Sequence, residues 1–183
     1  DETLLLEILD RRLDRFKEEL SPPNAAIERA DRHGLREDLR VFLRSELARE
    51  EFFETRHQEL GFGLGPRRSR QGDRPEPVTL ALGEDLSIRL RGRIDRIDRL
   101  ADGSLLVWDY KTGSRRRFSE GDPLQGGITV QWALYAAAAE RLVEGGDDVR
   151  ASGYFFTSLR EMGGRLVFSP DPHERELEAV VRR

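Results

Sequence analysis

The segment 92–113 constrains the fold of this chain most, because it holds two strand-like stretches around a short polar turn. Within it, Leu105–Tyr110 is an apolar, aromatic-rich run of the kind that forms a buried strand. Side chains alternate faces along a strand with a period of two residues. Asp109 and Lys111 therefore share a face if the strand continues through both.

The turn between the two stretches decides whether a second acid joins Asp109. A three-residue loop at 101–103 would place Asp95 directly opposite Asp109, with Gly103 at the left-handed position that such a loop requires. Opposed side chains lie about 5 Å apart at Cβ, and two carboxylates at that distance repel each other unless a cation lies between them. The pair predicts half of a metal site, whose hard oxygen ligands favour Mg²⁺ or Mn²⁺.

Lys111 would give this site its chemistry. An ammonium group beside a bound metal can orient a water molecule or meet the charge that develops on a phosphoryl oxygen. The combination predicts hydrolysis of a phosphodiester. A plain salt bridge between Asp109 and Lys111 at the end of a strand is the alternative that these residues leave open.

Three short motifs, in this order, resemble one nuclease family. GRIDRID contains Asp95, DYKTG contains Asp109–Lys111, and QWALY runs from Gln131 to Tyr135. Together they resemble the RecB-like branch of the PD-(D/E)XK nuclease superfamily, and above all the nuclease domain of AddB-type helicase-nucleases. The resemblance covers about residues 57–157. It implies an α/β fold with a restriction-endonuclease-like core, in which helices flank a central mixed β-sheet.

The resemblance also implies a set of metal ligands. Asp95 and Asp109 would hold the metal together with the backbone carbonyl of Tyr110, and Lys111 would position the attacking water. Glu59, which precedes a short predicted strand, resembles a glutamate that is frequent in this branch. It would be a third acidic ligand or would orient Lys111, and an exposed glutamate at a strand end is the alternative.

A substrate and a partner follow from the same resemblance. Gln131 and Tyr135 would lie one turn apart on one helix face, near the scissile strand. The implied function is that of a Mg²⁺- or Mn²⁺-dependent DNA exonuclease in DNA repair and recombination. Its substrate would be a single DNA strand, supplied by a helicase subunit or by a helicase domain of the same protein. The chain is then expected to be a fragment of a larger protein.

Two departures from the family pattern keep a second function open. RecB-like nucleases often carry a histidine ligand in a Gly-x-x-x-His setting, and neither His33 nor His57 has that setting. AddB-type domains commonly bind an iron–sulfur cluster through four cysteines, and this chain has no cysteine, so no such cluster is expected in it. The alternative is an inactive nuclease-fold domain that acts in DNA binding or complex assembly.

Composition limits how DNA could be bound. The chain has 183 residues, enough for one domain with a hydrophobic core, and its net charge is -4. This charge argues against a globally basic nucleic-acid-binding surface, and any DNA contact has to come from a local patch. The sequence contains neither an apolar run of membrane length nor a signal peptide, so a cytoplasmic protein without a membrane partner is expected.

Two arginine-rich segments are candidates for the local patch. Arg115, Arg116 and Arg117 follow the lysine motif directly and are predicted to contact the phosphate backbone of DNA. The loop 65–77 carries four further arginines, Arg67, Arg68, Arg70 and Arg74. These either contact phosphate or are simply solvated, and the sequence favours neither alternative.

The stretch 86–94 is predicted to be one strand with a basic face beside the acids. The side chains on that face are Arg89, Arg91, Arg93 and Asp95. Their positive potential suits a polyanionic substrate. Asp98 falls on the core face of the same hairpin arm and is expected to pair with an arginine.

The remaining elements complete one predicted domain. It consists of an N-terminal helical part (1–51), a nuclease core (57–168) and a C-terminal helix (172–183). Asn24 is expected to cap the second of two amphipathic N-terminal helices. The apolar stripes of these helices are assigned to the core and include Phe16, Leu20, Leu35 and Leu47. Further predicted elements are strands at 78–82, 151–157 and 165–168 and a helix from Ile128 to about Glu144, ended by Gly145 and Gly146.

Overall fold

The computed structural model describes residues 1–82, 85–143, 148–171 and 174–182 and has an α/β order of elements. The helices and strands are, in chain order, α1 (Glu2–Glu19), α2 (Ala25–Leu47), β1 (Phe53–Phe62), β2 (Val78–Leu82), β3 (Leu86–Leu90), β4 (Gly92–Leu100), β5 (Leu105–Lys111), α3 (Gln131–Leu142), β6 (Val149–Phe156), β7 (Arg165–Phe168) and α4 (Glu174–Val181). None of the helices in these ranges is long and apolar enough to cross a membrane.

Five strands form one mixed sheet in the order β1-β4-β5-β6-β7. The pairs β1/β4, β4/β5 and β6/β7 are antiparallel. Strands β5 and β6 run parallel, since the Leu105 N–H donates to Asp148 at one end and the Thr157 N–H donates to Lys111 at the other. The connection between them includes α3, as a parallel crossover requires. The predicted α/β fold with a mixed sheet and flanking helices is confirmed.

The chain divides into two compact units, each made of several segments. One comprises residues 1–50, 111–115 and 156–164, and the other comprises 51–110, 116–155 and 165–183. In the second unit, apolar side chains of β1, β4 and β5 pack with the alanine-rich face of α3. This core includes Leu60, Phe62, Ile94, Ile97, Leu105, Val107, Ala136, Ala138 and Ala139. Each large apolar side chain buried there stabilises the fold by about 1.5–3 kcal/mol relative to its exposed state.

Helices α1 and α2 of the first unit begin where the sequence predicts. The Asp1 carboxylate caps α1, and the Asn24 side chain accepts hydrogen bonds from the N–H groups of Ala26 and Ile27 at the start of α2. Ion pairs between the helices include Arg32 with Asp14 at 2.6 Å. Such exposed pairs contribute little individually.

The assignment of both apolar stripes to the core is wrong at four positions. Leu47 is 77% exposed, and Phe16, Leu20 and Leu35 are exposed as well. Phe16, Leu20 and Leu35 line an open cavity of about 560 Å³ beside the turn between α1 and α2. The two helices bury only part of each stripe, which the spacing of leucines along one helix cannot reveal.

The predicted single strand over 86–94 is wrong. Its first half is β3, which pairs with β2 in a separate two-stranded sheet, and its second half is the beginning of β4 in the large sheet. Arg91 lies between the two strands and belongs to neither. Arg89, Arg91 and Arg93 therefore do not form a continuous basic face with Asp95. Between β2 and β3, Gly83 and Glu84 lie outside the described residues.

Helix α3 begins at Gln131 and not at Ile128 as predicted. Gln125, Gly126 and Gly127 all have positive φ, and Ile128 is 84% exposed. The hydroxyl of Thr129 and the indole N–H of Trp132 both donate to the carbonyl of Pro123, at 2.7 and 3.1 Å. These bonds hold the preceding residues in a non-helical path.

The predicted strands at 151–157 and 165–168 correspond to β6 and β7, and α4 occupies Glu174–Val181 of the predicted C-terminal helix. The helix stop at Gly145 and Gly146 and the terminal positions Pro172, His173 and Arg183 lie outside the described residues.

Candidate active site

The β4–β5 hairpin has the turn that the sequence predicts. The Leu100 N–H donates to the Ser104 carbonyl at 2.9 Å, and Gly103 between them has a φ of 91°. The strand register pairs Arg99 with Leu105 and continues to Arg96 with Trp108. Asp95 and Asp109 are the next residues along the two strands. The predicted hairpin register is therefore confirmed from Arg99–Leu105 to Arg96–Trp108, and the direct opposition of Asp95 and Asp109 stays a prediction.

The two acids at this position differ in burial. Asp95 is half-buried, and its Oδ2 atom accepts a hydrogen bond of 2.7 Å from the Tyr110 N–H on the neighbouring strand. Asp109 is only 5% exposed. Burial, and secondly the negative charge of Asp109, raise the pKa of the Tyr154 hydroxyl to about 12. The Tyr154 hydroxyl, already neutral near pH 7 at its ordinary pKa of 10.0, thus stays protonated to higher pH and adds no negative charge beside Asp109.

A buried polar network braces the hairpin directly behind the acids. Asp98 is fully buried and accepts from the Arg96 Nε at 2.7 Å, the Trp108 Nε1 at 3.2 Å and the Thr55 hydroxyl at 3.0 Å. Arg96 also donates to the Tyr110 hydroxyl at 3.3 Å. The expected pairing of Asp98 with an arginine is confirmed, and the network links β1, β4 and β5 one residue away from Asp95 and Asp109.

The oxygen donors of β4 and β5 fit a hard divalent cation. Within the described ranges, no group of three or more His, Cys, Asp or Glu residues is placed to hold a metal ion. The oxygen donors on β4 and β5 at this position are the carboxylates of Asp95 and Asp109 and neighbouring backbone carbonyl groups. Mg²⁺ is usually held by one or two carboxylates, with water and substrate phosphate completing its octahedron. Two carboxylates are within this usual number, and the assignment of Asp95 and Asp109 as ligands stays a prediction.

Glu59 does not join these acids in a three-carboxylate group. It is exposed, has a left-handed φ of 54°, and its carboxylate lies 3.5 Å from the Arg70 guanidinium. Its assignment as a metal ligand stays a prediction.

Lys111 is the last residue of β5, so the strand continues as far as the shared face with Asp109 requires. The Lys111 carbonyl accepts from the Thr157 N–H at 3.1 Å, which keeps the backbone extended at this position. The side chain is half-buried. Its catalytic role stays a prediction.

Helix α3 places the two predicted polar residues of the QWALY motif one turn apart. Gln131 is the first residue of the helix and is half-buried. The Tyr135 ring meets the Phe62 ring edge-on, with centroids 6.5 Å apart. A Cβ atom at Gly92 would lie 3.3 Å from the Tyr135 hydroxyl, so the absence of a side chain at Gly92 makes room for it at the start of β4. Contact of either residue with a substrate stays a prediction.

The predicted phosphate contacts Arg115, Arg116 and Arg117 form a short 3₁₀ turn. Arg116 and Arg117 are exposed and Arg115 is half-buried. The Gln125 side chain donates to the Arg117 carbonyl at 2.9 Å. Their role in DNA binding stays a prediction.

The sequence analysis did not predict the ion pair and hydrogen bonds that order the loop after β1. The Asp73 carboxylate, whose side chain is 6% exposed, binds the Arg93 guanidinium at 2.8 Å and accepts from the N–H groups of Gly61 and Arg70. The Gly63 N–H and the Arg74 carbonyl close the loop at 3.0 Å. The pKa of the Asp73 carboxyl is lowered to about 2, and the hydrogen bond from the Arg93 side chain is the largest of several causes. No local pattern marks Asp73, because its partners lie up to 20 residues away.

Replacing Asp73 with asparagine should loosen this loop. Because the folded-state pKa of Asp73 is below its ordinary 3.8, the ionised carboxylate stabilises the loop fully above that value and progressively less as pH falls towards about 2. We expect protection factors, measured against the intrinsic amide exchange rate at each pH, to be several-fold lower at Gly61, Gly63 and Arg70 in Asp73→Asn at neutral pH, and in the wild type below pH 3.8. Asp85→Asn, which removes an exposed carboxylate bound to Arg182, is the control. Unchanged exchange in Asp73→Asn would contradict the assigned role.

The α/β fold and the motifs on β4, β5 and α3 are those of one protein family. The family model of the PD-(D/E)XK nuclease superfamily matches residues 1–183, and the chain is a member of that superfamily. Nucleases of this superfamily generally use divalent metal ions.

Among individual proteins, the chain is similar to a subunit of the ATP-dependent helicase/deoxyribonuclease of Streptococcus mutans. The two are 32% identical over 96 residues, which cover 50% of this chain and 9% of the relative. The chain therefore matches only a small part of that protein's length.

Proposed function

We propose that this chain is a Mg²⁺- or Mn²⁺-dependent deoxyribonuclease domain that hydrolyses phosphodiester bonds of a single DNA strand from an end. The proposal is supported above all by the β4–β5 register, which includes the Arg96–Trp108 pair and leaves Asp95 and Asp109 as the next residues of their strands. The name of the Streptococcus relative supports DNA as the substrate and a helicase as the partner. We further propose that the domain acts in the cytoplasm, in DNA repair and recombination.

In this mechanism, Asp95 and Asp109 would hold the cation together with the Tyr110 carbonyl. A bound Mg²⁺ or Mn²⁺ supplies Lewis-acid polarisation of the phosphate and a lower pKa for its water. Lys111 orients the attacking water and meets the charge that develops on the phosphoryl oxygens. The oxygen of this water bonds to phosphorus, and the bond from phosphorus to the leaving sugar oxygen breaks. A phosphomonoester and a sugar hydroxyl result, the hydroxyl taking up the proton that the water loses.

Gln131 and Tyr135 are proposed to position the scissile strand. Tyr135 lies against Gly92 at the start of the strand that carries Asp95, so a nucleotide held by its hydroxyl would pass along β4. Gln131 begins the same helix, one turn before Tyr135 on the same face.

An assay on end-labelled single- and double-stranded DNA tests the proposal. We expect stepwise shortening of the single strand with Mg²⁺ or Mn²⁺, and none with EDTA or with Ca²⁺. Absence of cleavage with either active metal would overturn the proposal and favour an inactive nuclease-fold domain that binds DNA or assembles a complex.

Calorimetry with Mn²⁺ tests the metal site independently of cleavage. Asp109→Ala should abolish the binding heat, because it removes one of two carboxylates that hold the ion. Asp122→Ala, at an exposed loop carboxylate, is the matched control and should bind Mn²⁺ like the wild type. Equal binding by the wild type and Asp109→Ala would exclude the proposed ligand set.

A further inference from the structure

A basic cavity of about 430 Å³ lies beside the loop that follows β1. It is lined by Gly63, Leu64, Gly65, Pro66, Arg67, Arg68 and Arg91. The three arginines are exposed, and within the described residues none of their guanidinium groups pairs with a carboxylate. The neighbouring Arg70 and Arg93, by contrast, are engaged by Glu59 and Asp73. Like charges gathered around one cavity repel each other, and a bound anion would offset that repulsion.

The cavity is held in shape by its surroundings. The Arg93 guanidinium donates a hydrogen bond to the Asp73 carboxylate of the loop, and it also donates to the Arg68 carbonyl at 3.2 Å. Gly63 has a φ of 63°, and a Cβ atom there would lie 2.8 Å from the Cα of Pro77 and 3.0 Å from the Cβ of Arg91. The glycine thus lets the end of β1 approach Arg91 closely. An anion would meet these arginines in a loop that is already ordered, which reduces the entropic cost of binding.

Arg91 also connects the cavity to the candidate active site. It immediately precedes Gly92, against which Tyr135 packs, and stands four residues before Asp95. Four residues of extended chain span roughly 13 Å. A single nucleic-acid strand bound along β4 could therefore reach both places.

We infer that Arg67, Arg68 and Arg91 form a phosphate-binding subsite for the backbone of the DNA strand. The inference rests on the proposed nuclease function, since DNA is the substrate proposed there. For Arg67 and Arg68, it decides between the phosphate contact and the solvation that the sequence left open. Guanidinium groups suit this role because each can donate two hydrogen bonds to one phosphate.

Binding of a fluorescent single-stranded oligonucleotide in EDTA, measured by anisotropy over a range of salt concentrations, tests the inference without cleavage. The triple variant Arg67→Ser, Arg68→Ser and Arg91→Ser should bind about tenfold or more weakly at low salt. The slope of log affinity against log salt should fall in magnitude by about 2, because three single-strand phosphate contacts are lost. The control, Arg12→Ser with Arg15→Ser and Arg29→Ser, removes the same charge from exposed helical positions and should keep the wild-type slope.

Equal losses in the two triple variants would overturn the subsite. Direct titration with inorganic phosphate separates the two sources of the anion. In one outcome, the wild type binds inorganic phosphate, the triple variant does not, and both bind the oligonucleotide equally well. This outcome would assign the cavity to free phosphate and overturn its assignment to DNA. If circular dichroism shows that the triple variant does not fold, Arg67→Glu and its control Arg12→Glu replace the two triple variants. Arg67→Glu should then bind the oligonucleotide more weakly, and Arg12→Glu should keep the wild-type salt slope. A wild-type protein that binds DNA through these arginines but never cleaves it would refute the nuclease function alone.

Discussion

Replacing Lys111 with alanine should slow DNA hydrolysis by about 10²–10³-fold while leaving Mn²⁺ binding close to that of the wild type. The ammonium group acts in this mechanism on the water and on the developing phosphoryl charge, and it is no ligand of the metal. Loss of a group that acts mainly in the transition state lowers kcat and kcat/KM together. Single-turnover cleavage at saturating DNA, together with Mn²⁺ calorimetry on the same variant, measures both parts of the expectation.

The chain offers a well-matched control for this experiment. It contains only two lysines among its 31 basic residues, and the other, Lys17, is an exposed helical residue paired with Glu28. Lys17→Ala should cleave DNA at the wild-type rate. Lys111→Arg should remain impaired, because a planar guanidinium cannot replace a compact ammonium in orienting one water. A Lys111→Ala protein as active as Lys17→Ala would rule out the role assigned to Lys111.

Replacing Asp98 with alanine should destabilise the protein by about 3–5 kcal/mol. The carboxylate is fully buried, and its removal leaves the charge of Arg96, which is 3% exposed, without the partner it has at 2.7 Å. The Trp108 indole N–H loses an acceptor at the same time. Chemical denaturation followed by tryptophan fluorescence and by circular dichroism measures the loss and also checks whether unfolding is two-state.

Asp102→Ala makes the same chemical change at an exposed position in the turn of the same hairpin. It should cost only a small fraction of the loss in Asp98→Ala. The double variant Asp98→Ala with Arg96→Met should lose less than the sum of the two single variants, because both single variants break the same ion pair. A similar free energy of unfolding for Asp98→Ala and Asp102→Ala would show that the network does not brace the hairpin.

The sequence alone predicted the β4–β5 hairpin in detail, including the turn at Gly103, the strand register and the pairing of Asp98 with an arginine. These features depend on residues close together in the chain. Alternation with a period of two and the need for a left-handed residue in the turn both act over a few positions. The family and the α/β class followed from motifs that lie largely on the same hairpin and on α3.

Other features were decided by contacts between distant residues. The break at Arg91 arises because β3 pairs with β2 while β4 pairs with β1, and an alternating sequence is equally compatible with one long strand. The Asp73–Arg93 pair joins residues 20 positions apart. Local periodicity and turn chemistry therefore determined the acidic hairpin. Only the tertiary structure could order the arginine loop beside it, because strand partners and buried ion pairs are chosen by the packing of the whole chain.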